Sequence, residues 1–257
     1  MSYPIHLKSF VTTTKLGGSV MLHVILLESA IELIPTHLTS KKLIQKHANR
    51  RGKRPNQLLL DQSYHGQAMT DLENTERRGR PDIAFLSLMT LLETPLCKHG
   101  LLSIHLHLQD GRVVEVSPAV RLPRNYDRFI GLFEQLLLKG RVPPEGESLL
   151  RVADESLTDL VRRLKDDSPQ SITALCIEGG MQTTIDGLES IFPKDDRVPV
   201  ILGVGAFPHG DFSEDVKSVF QTHIELDPEV MMAWHVCAEL LWVYTKKMGI
   251  AKTRFAL

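Results

Sequence analysis

The sequence predicts an α/β protein built on a predominantly parallel sheet. Three observations carry this. Short apolar runs rich in β-branched residues, such as Ile172–Ile177 and Val198–Val204, have the length and make-up of buried strands. They alternate with longer segments of helical periodicity, the pattern of strand–helix–strand units. Asp110-Gly111, between two alternating stretches, is a strong β-hairpin signal and marks a small insertion around 101–120 that interrupts the alternation. With 257 residues the chain is long enough for one large or two small domains.

The elements follow in order. Residues 1–20 carry little pattern and are expected to form a poorly packed extension, with Met21 reading as the natural start. Met21–Leu27 is the first strand. Thr39 or Ser40 is placed to cap a helix from Lys41 to Asn49. Lys41, Lys42, Lys46, Arg50, Arg51, Lys53 and Arg54 follow one another with no acid between them, which suits either a solvated helix face or a phosphate-facing surface. Leu58–Leu60 reads as a buried strand ending in Asp61, followed by Tyr64-His65 in a loop and a helix over 67–76. His65 reads as a structural histidine. Arg77-Arg78-Gly79-Arg80 is a basic turn in which Asp82 can clamp Arg80, and Pro81 opens a helix to Leu92.

Ser103–Leu108 and Val113–Val116 form the hairpin, with one wet face expected. Arg121, Arg124 and Arg128 lead into a helix over Tyr126–Lys139, and Arg124 and Arg128 share a face if its first turn is helical. Helices are expected over Ser156–Leu164, Thr183–Ile191 and Ser213–Phe220, and a strand over Thr222–Leu226. The last helix, Glu229–Met248, is apolar round most of its circumference. It must be buried in the core or against a second subunit, with Trp234 and Trp242 as candidate anchors.

The chemistry is expected where two strand ends with Gly- and Pro-rich loops lie side by side, at Val198–Gly210 and Thr222–Pro228, forming a crevice. No G-x-G-x-x-G and no G-x-x-x-x-G-K-[ST] is present, and the glycine loop carries no lysine, which argues against a triphosphate. Net charge is −1, so a nucleic-acid site must be a local basic patch. Cys97, Cys176 and Cys237 lack C-x-x-C spacing and read as buried thiols in a reducing cytoplasm, with no zinc and no other metal expected. No apolar run reaches the ~18–20 residues of a membrane span.

Met21–Pro35, Leu58–His65, Arg78-Gly79-Arg80-Pro81-Asp82-Ile83, Pro95–Leu102, Val120-Arg121-Leu122-Pro123-Arg124, Gly131–Lys139, Gly205-Ala206-Phe207-Pro208-His209-Gly210 and Ile224–Trp234 together resemble one family. It is the SPOUT (α/β-knot) ribosome-biogenesis methyltransferases that methylate N1 of a pseudouridine in small-subunit ribosomal RNA, and the resemblance is to archaeal members. It implies a C-terminal trefoil knot within a single domain over 21–257, a homodimer packed through the knots, and cytoplasmic work on ribosomal RNA, with ribosomal assembly proteins as further partners. It implies S-adenosylmethionine held by Ile177, Glu178, Gly203, Gly205, Gly210, Ile224, Glu225, Leu226, Asp227, Pro228 and Met231. RNA contacts carry over to Arg80, Arg121, Arg124 and Arg128, with Arg80 and its clamp Asp82 closest to the chemistry. The family's small hydroxyl residue that contacts the target uracil aligns with Met232, which cannot make that bond well. Competing readings are an RNA-binding assembly factor without methyl transfer, a methyltransferase of this class acting on transfer RNA, and a small-molecule α/β enzyme. The last lacks a recognisable nucleophile–base pair.

Overall fold

A computed structural model describes residues 22–250 except 166, 167 and 196. The expectations for residues 1–20 and for Met21 as a start lie outside the described residues. Among the described residues eight strands form one sheet: β1 (Leu22–Ser29), β2 (Leu102–Leu108), β3 (Val113–Val116), β4 (Arg141–Val142), β5 (Leu150–Ala153), β6 (Ile172–Gln182), β7 (Val200–Gly205) and β8 (Thr222–Glu225). The order is β4-β5-β3-β2-β1-β7-β6-β8. From β2 to β8 every pairing is parallel; β2–β3, β3–β5 and β4–β5 are antiparallel. The sheet is therefore mixed, with the expected parallel part forming one half.

The helices are α1 (Lys42–Arg51), α2 (Gln62–His65), α3 (Pro81–Leu92), α4 (Pro95–Lys98), α5 (Tyr126–Lys139), α6 (Leu157–Leu164), α7 (Ile185–Ile191), α8 (Glu214–Val219) and α9 (Ala233–Lys247). Strand alternation sends side chains to both faces of the sheet. Leu22, Val24 and Leu26 of β1 enter a core with Leu88 of α3, Phe129 and Phe133 of α5, and Leu240 and Tyr244 of α9. Ile25 and Leu27 enter a second core under α6 and α8. A satellite cluster joins Ile44 of α1 to Leu58, Leu60 and Met69. No helix among the described residues is long and apolar enough to cross a membrane.

Several local expectations are corrected. Leu58–Asp61 is not a sheet strand: Leu59 makes one isolated bridge to Leu33 and enters the main core, while Leu58 and Leu60 fill the satellite cluster. Periodicity cannot separate a buried strand from a buried loop. The helix over 67–76 is replaced by 3₁₀ turns at Gly66–Ala68 and Thr75–Arg77, with Asn74 between them at φ 51°. Neither Thr39 nor Ser40 caps α1. Its N-cap is Lys41, without a side-chain bond, and the Thr39 hydroxyl donates to the Thr36 carbonyl instead. The face expected to be wet is largely covered: His105 and His107 of β2 are buried, Val113 of β3 enters the core under α6, and only Ser103 and Glu115 are partly exposed. β6 does not stop at Ile177 but bulges and resumes with Met181 opposite Ile224. α9 starts at Ala233 rather than Glu229, because Asp227 folds its carboxylate onto the Glu229 amide in a turn.

Candidate functional site

The C-terminal ends of β6, β7 and β8, with the loops that follow β7 and β8, enclose a cavity of about 510 Å³. The two expected strand ends are not neighbours; β6 lies between β7 and β8 and supplies the floor. Of the expected cofactor residues, Ile177, Glu178, Gly205, Gly210, Ile224, Glu225, Leu226, Asp227 and Met231 line it. Gly203 and Pro228 do not. Gly203 is paired inside β7, where a Cβ would lie 2.6 Å from Leu27 and 2.7 Å from Phe220, so its smallness serves sheet packing. Pro228 sits in the exposed turn before Glu229.

The backbone ties that shape the cavity run between distant segments. The Ala206 amide donates to the Leu27 carbonyl, and the Ala30 amide donates to the Ala206 carbonyl, both at 2.9 Å. The Gly179 amide donates to a Glu225 carboxylate oxygen at 2.8 Å, closing the β6 bulge over β8. Gly210, at φ 93°, turns the loop where a side chain would be strained.

Sequence reasoning missed part of the wall. Phe207 and Phe212 pack edge to face at 5.1 Å. Phe207 stood in the quoted Gly-Ala-Phe-Pro-His-Gly motif; Phe212 carried no signal beyond its apolar character. Asp211 and Glu229 also line the cavity. Among the described residues the lining thus holds five acids (Glu178, Asp211, Glu225, Asp227 and Glu229) and no lysine or arginine. Such a wall disfavours phosphate groups and suits a ligand with net positive charge. S-adenosylmethionine, with its sulfonium and ammonium groups, has that character, and the volume falls within the usual range for small-ligand sites.

A second group of charged residues adjoins this wall. Arg80 donates from Nε and Nη2 to the two oxygens of Asp82, each at 2.8 Å. The expected clamp is thus bidentate, and it keeps the guanidinium protonated and its remaining donors pointing in one direction. Arg77, in the same turn, pairs with Glu28 at 2.5 Å and lies 4.3 Å over the Phe207 ring. The turn is thereby pressed against the cavity loop. Arg78 pairs with Glu32.

The Tyr126 hydroxyl donates to Asp61 at 2.9 Å, and the Gln62 amide donates to the Gly79 carbonyl at 2.8 Å, joining the starts of α5 and α2 to the arginine turn. Burial and the Asp61 carboxylate push the Tyr126 phenol up, so it stays a donor. Arg121, Arg124 and Arg128 are exposed, and Arg121 and Arg124 stand near Glu93, at the end of α3 opposite Arg80. Arg124 precedes the Asn125 cap, so it does not share a helical face with Arg128. Met232 is the uncapped N-cap residue of α9 and is 61% exposed, beside the lining Met231.

His65 is structural. Its Nδ1 accepts from the Asp61 amide at 3.0 Å, which leaves Nε2 to donate to His47 Nδ1 at 2.8 Å. Burial, then the neighbouring His47, push its pKa down to about 4. The basic block divides: Lys41 pairs with Asp71, while Arg51 and Lys53 turn inward to the buried Glu134. Lys42, Lys46, Arg50 and Arg54 stay exposed.

Residues 24–244 match the family described as EMG1/NEP1 methyltransferase. The chain is 38% identical over 212 residues to the "Ribosomal RNA small subunit methyltransferase Nep1" of Staphylothermus marinus, covering 82% of this chain and 89% of that one. It is 36% identical over 230 residues to the protein of the same name from Thermococcus kodakarensis, covering 90% of this chain and all of that one. Its fold matches the crystal structure of Archaeoglobus fulgidus Nep1 bound to S-adenosylhomocysteine, with a TM-score of 0.78 and 32% identity, over 89% of this chain and 99% of that one.

Proposed function

Because the chain belongs to the EMG1/NEP1 methyltransferase family, we propose that it methylates small-subunit ribosomal RNA at N1 of a pseudouridine, using S-adenosylmethionine. The observation that carries this reading is an acid-lined cavity without lysine or arginine, set directly against a clamped arginine turn. The cofactor supplies an electrophilic methyl group when bound. Ile177, Glu178, Gly205, Gly210, Ile224, Glu225, Leu226, Asp227 and Met231 would hold it, helped by Phe207 and Asp211.

The RNA side is built from cations. Arg121, Arg124 and Arg128 bind phosphates around an unpaired loop whose target nucleotide is turned out of the stack. Arg80, oriented by Asp82, faces the target and favours the anion left when the pseudouridine N1 loses its proton. The contact that a hydroxyl residue would make with the uracil is absent at Met232, so base recognition rests on backbone and shape. A homodimer, a cytoplasmic role in small-subunit assembly and a knotted C-terminal segment belong to the same reading. The placement of β6 between β7 and β8, with α9 packed back on α3, supports the knot.

The test is a mass measurement on two hairpin RNAs that differ only in pseudouridine or uridine at one loop position. A gain of one methyl on the pseudouridine RNA alone is expected. RNA binding without any methyl gain would leave an assembly factor. Arg80→Ala is expected to lower turnover at saturating RNA about a hundred-fold; full turnover would limit Arg80 to RNA binding.

A further inference from the structure

The cations of the basic block that escape internal pairing form a surface of their own. Lys42, Lys46 and Arg50 recur every four residues on α1 and share one exposed face, spaced about 6 Å apart along the axis. That step is comparable with the distance between successive phosphates of an extended strand. At the end of the stripe the Arg50 guanidinium lies 5.5 Å from the centre of the Tyr64 ring. Tyr64 is 40% exposed, so its ring contributes little to the core. It is nonetheless held rigidly, because it stacks on His47 at 4.5 Å and 29°, and His47 is bonded to His65. This platform is contiguous with the arginine turn, since the Gln62 amide, two residues before Tyr64, is bonded to the Gly79 carbonyl, one residue before Arg80.

We propose that Tyr64, Arg50 and the Lys42–Lys46 stripe bind an unpaired stretch of RNA that flanks the target nucleotide. A base stacks against the Tyr64–Arg50 platform and the phosphates follow α1. The proposal rests on the ribosomal RNA reading above and extends its footprint. A rigid, partly exposed ring with a guanidinium over it offers a base a stacking surface that ends in the Arg50 plane, whereas a duplex keeps its base faces covered. The positive stripe carries no acid, so it attracts the phosphate chain without demanding a sequence.

The experiment measures affinity of the full chain, across a salt series, for two labelled hairpins: one bare and one with short unpaired tails on both sides. The wild type is expected to bind the tailed RNA more tightly. Tyr64→Ala should weaken tailed binding about ten-fold and leave the bare hairpin unchanged, while Tyr64→Phe keeps the tail effect. Lys42→Gln with Lys46→Gln should reduce the salt slope on the tailed RNA by about 1.4. Calorimetric binding of S-adenosylmethionine, unchanged in every variant, establishes that the variants fold. The proposal is overturned if tails add no affinity to the wild type, or if Tyr64→Ala weakens both RNAs equally. If the bare hairpin is still bound and methylated, only the platform falls; if the wild type binds neither RNA, the ribosomal RNA reading fails as well.

Discussion

Arg77 shows how one side chain can join two parts of a site. Its guanidinium pairs with Glu28, which leaves the end of β1 at φ 45°, and its plane covers Phe207. Its aliphatic stem lies 3.4 Å from where a Gly210 Cβ would be. Arg77 is therefore a positioning residue for the cavity loop. Phe207→Leu removes the cation–π contact, worth about 1 kcal/mol, but leaves the ion pair. It is expected to weaken S-adenosylmethionine binding about five-fold by calorimetry with little loss of thermal stability. Arg77→Met strands the buried Glu28 carboxylate and is expected to cost about 3 kcal/mol in urea unfolding. Equal stability of the two variants would argue against the ion pair as the anchor.

At the scale of elements, β1 and β2 carry a polar stripe into the core beneath α6. His23 and His105 share Ser103 through hydrogen bonds at 2.5 and 3.2 Å, and Arg163 of α6 stands near both. Burial first, and positive neighbours second, push His23 down to about 4 and His105 down to about 3. Both begin from 6.5 when exposed, so the unfolded chain takes up protons first as pH falls. Their contribution is therefore fully present above about pH 6.5 and declines down to about pH 4 for His23 and about pH 3 for His105, by up to ~1.4 kcal/mol per pH unit for each histidine. The melting temperature is expected to drop steeply below about pH 6, and His23→Asn with His105→Gln should reduce that slope, with His65 keeping part of it. A melting curve independent of pH between about 6.5 and 4.5 would contradict this account.

At the scale of the molecule, α9 closes the larger core but leaves Trp242 outside, 72% exposed, while Trp234 packs partly against that core. An exposed tryptophan on a largely apolar helix is an expensive surface unless it is covered. Trp242→Glu is expected to convert a dimer to a monomer in light scattering without lowering cofactor affinity, whereas Trp234→Ala should lower stability of the subunit itself. An unchanged mass for Trp242→Glu would place the dimer contact elsewhere or exclude it.

Local chemistry alone was enough to read α3 from Pro81, α5 from Tyr126, the Asp110-Gly111 hairpin, and the last strands. Each is specified by residues close together in the chain. The Arg80–Asp82 clamp was legible for the same reason, being two residues apart. What needed the tertiary structure were partnerships over distance. Glu134 neutralises Arg51 from 83 residues away, and this helps decide which cations of the block stay exposed. β6 inserts between β7 and β8, so the cavity floor comes from a strand that the spacing had not put there. Gly203 proved to be packed inside the sheet rather than open to a ligand, because Leu27 and Phe220 converge on it from other elements. Periodicity reports how one segment divides between core and solvent. It is silent on which distant group meets a buried charge or fills the space over a glycine, and those encounters shaped this site.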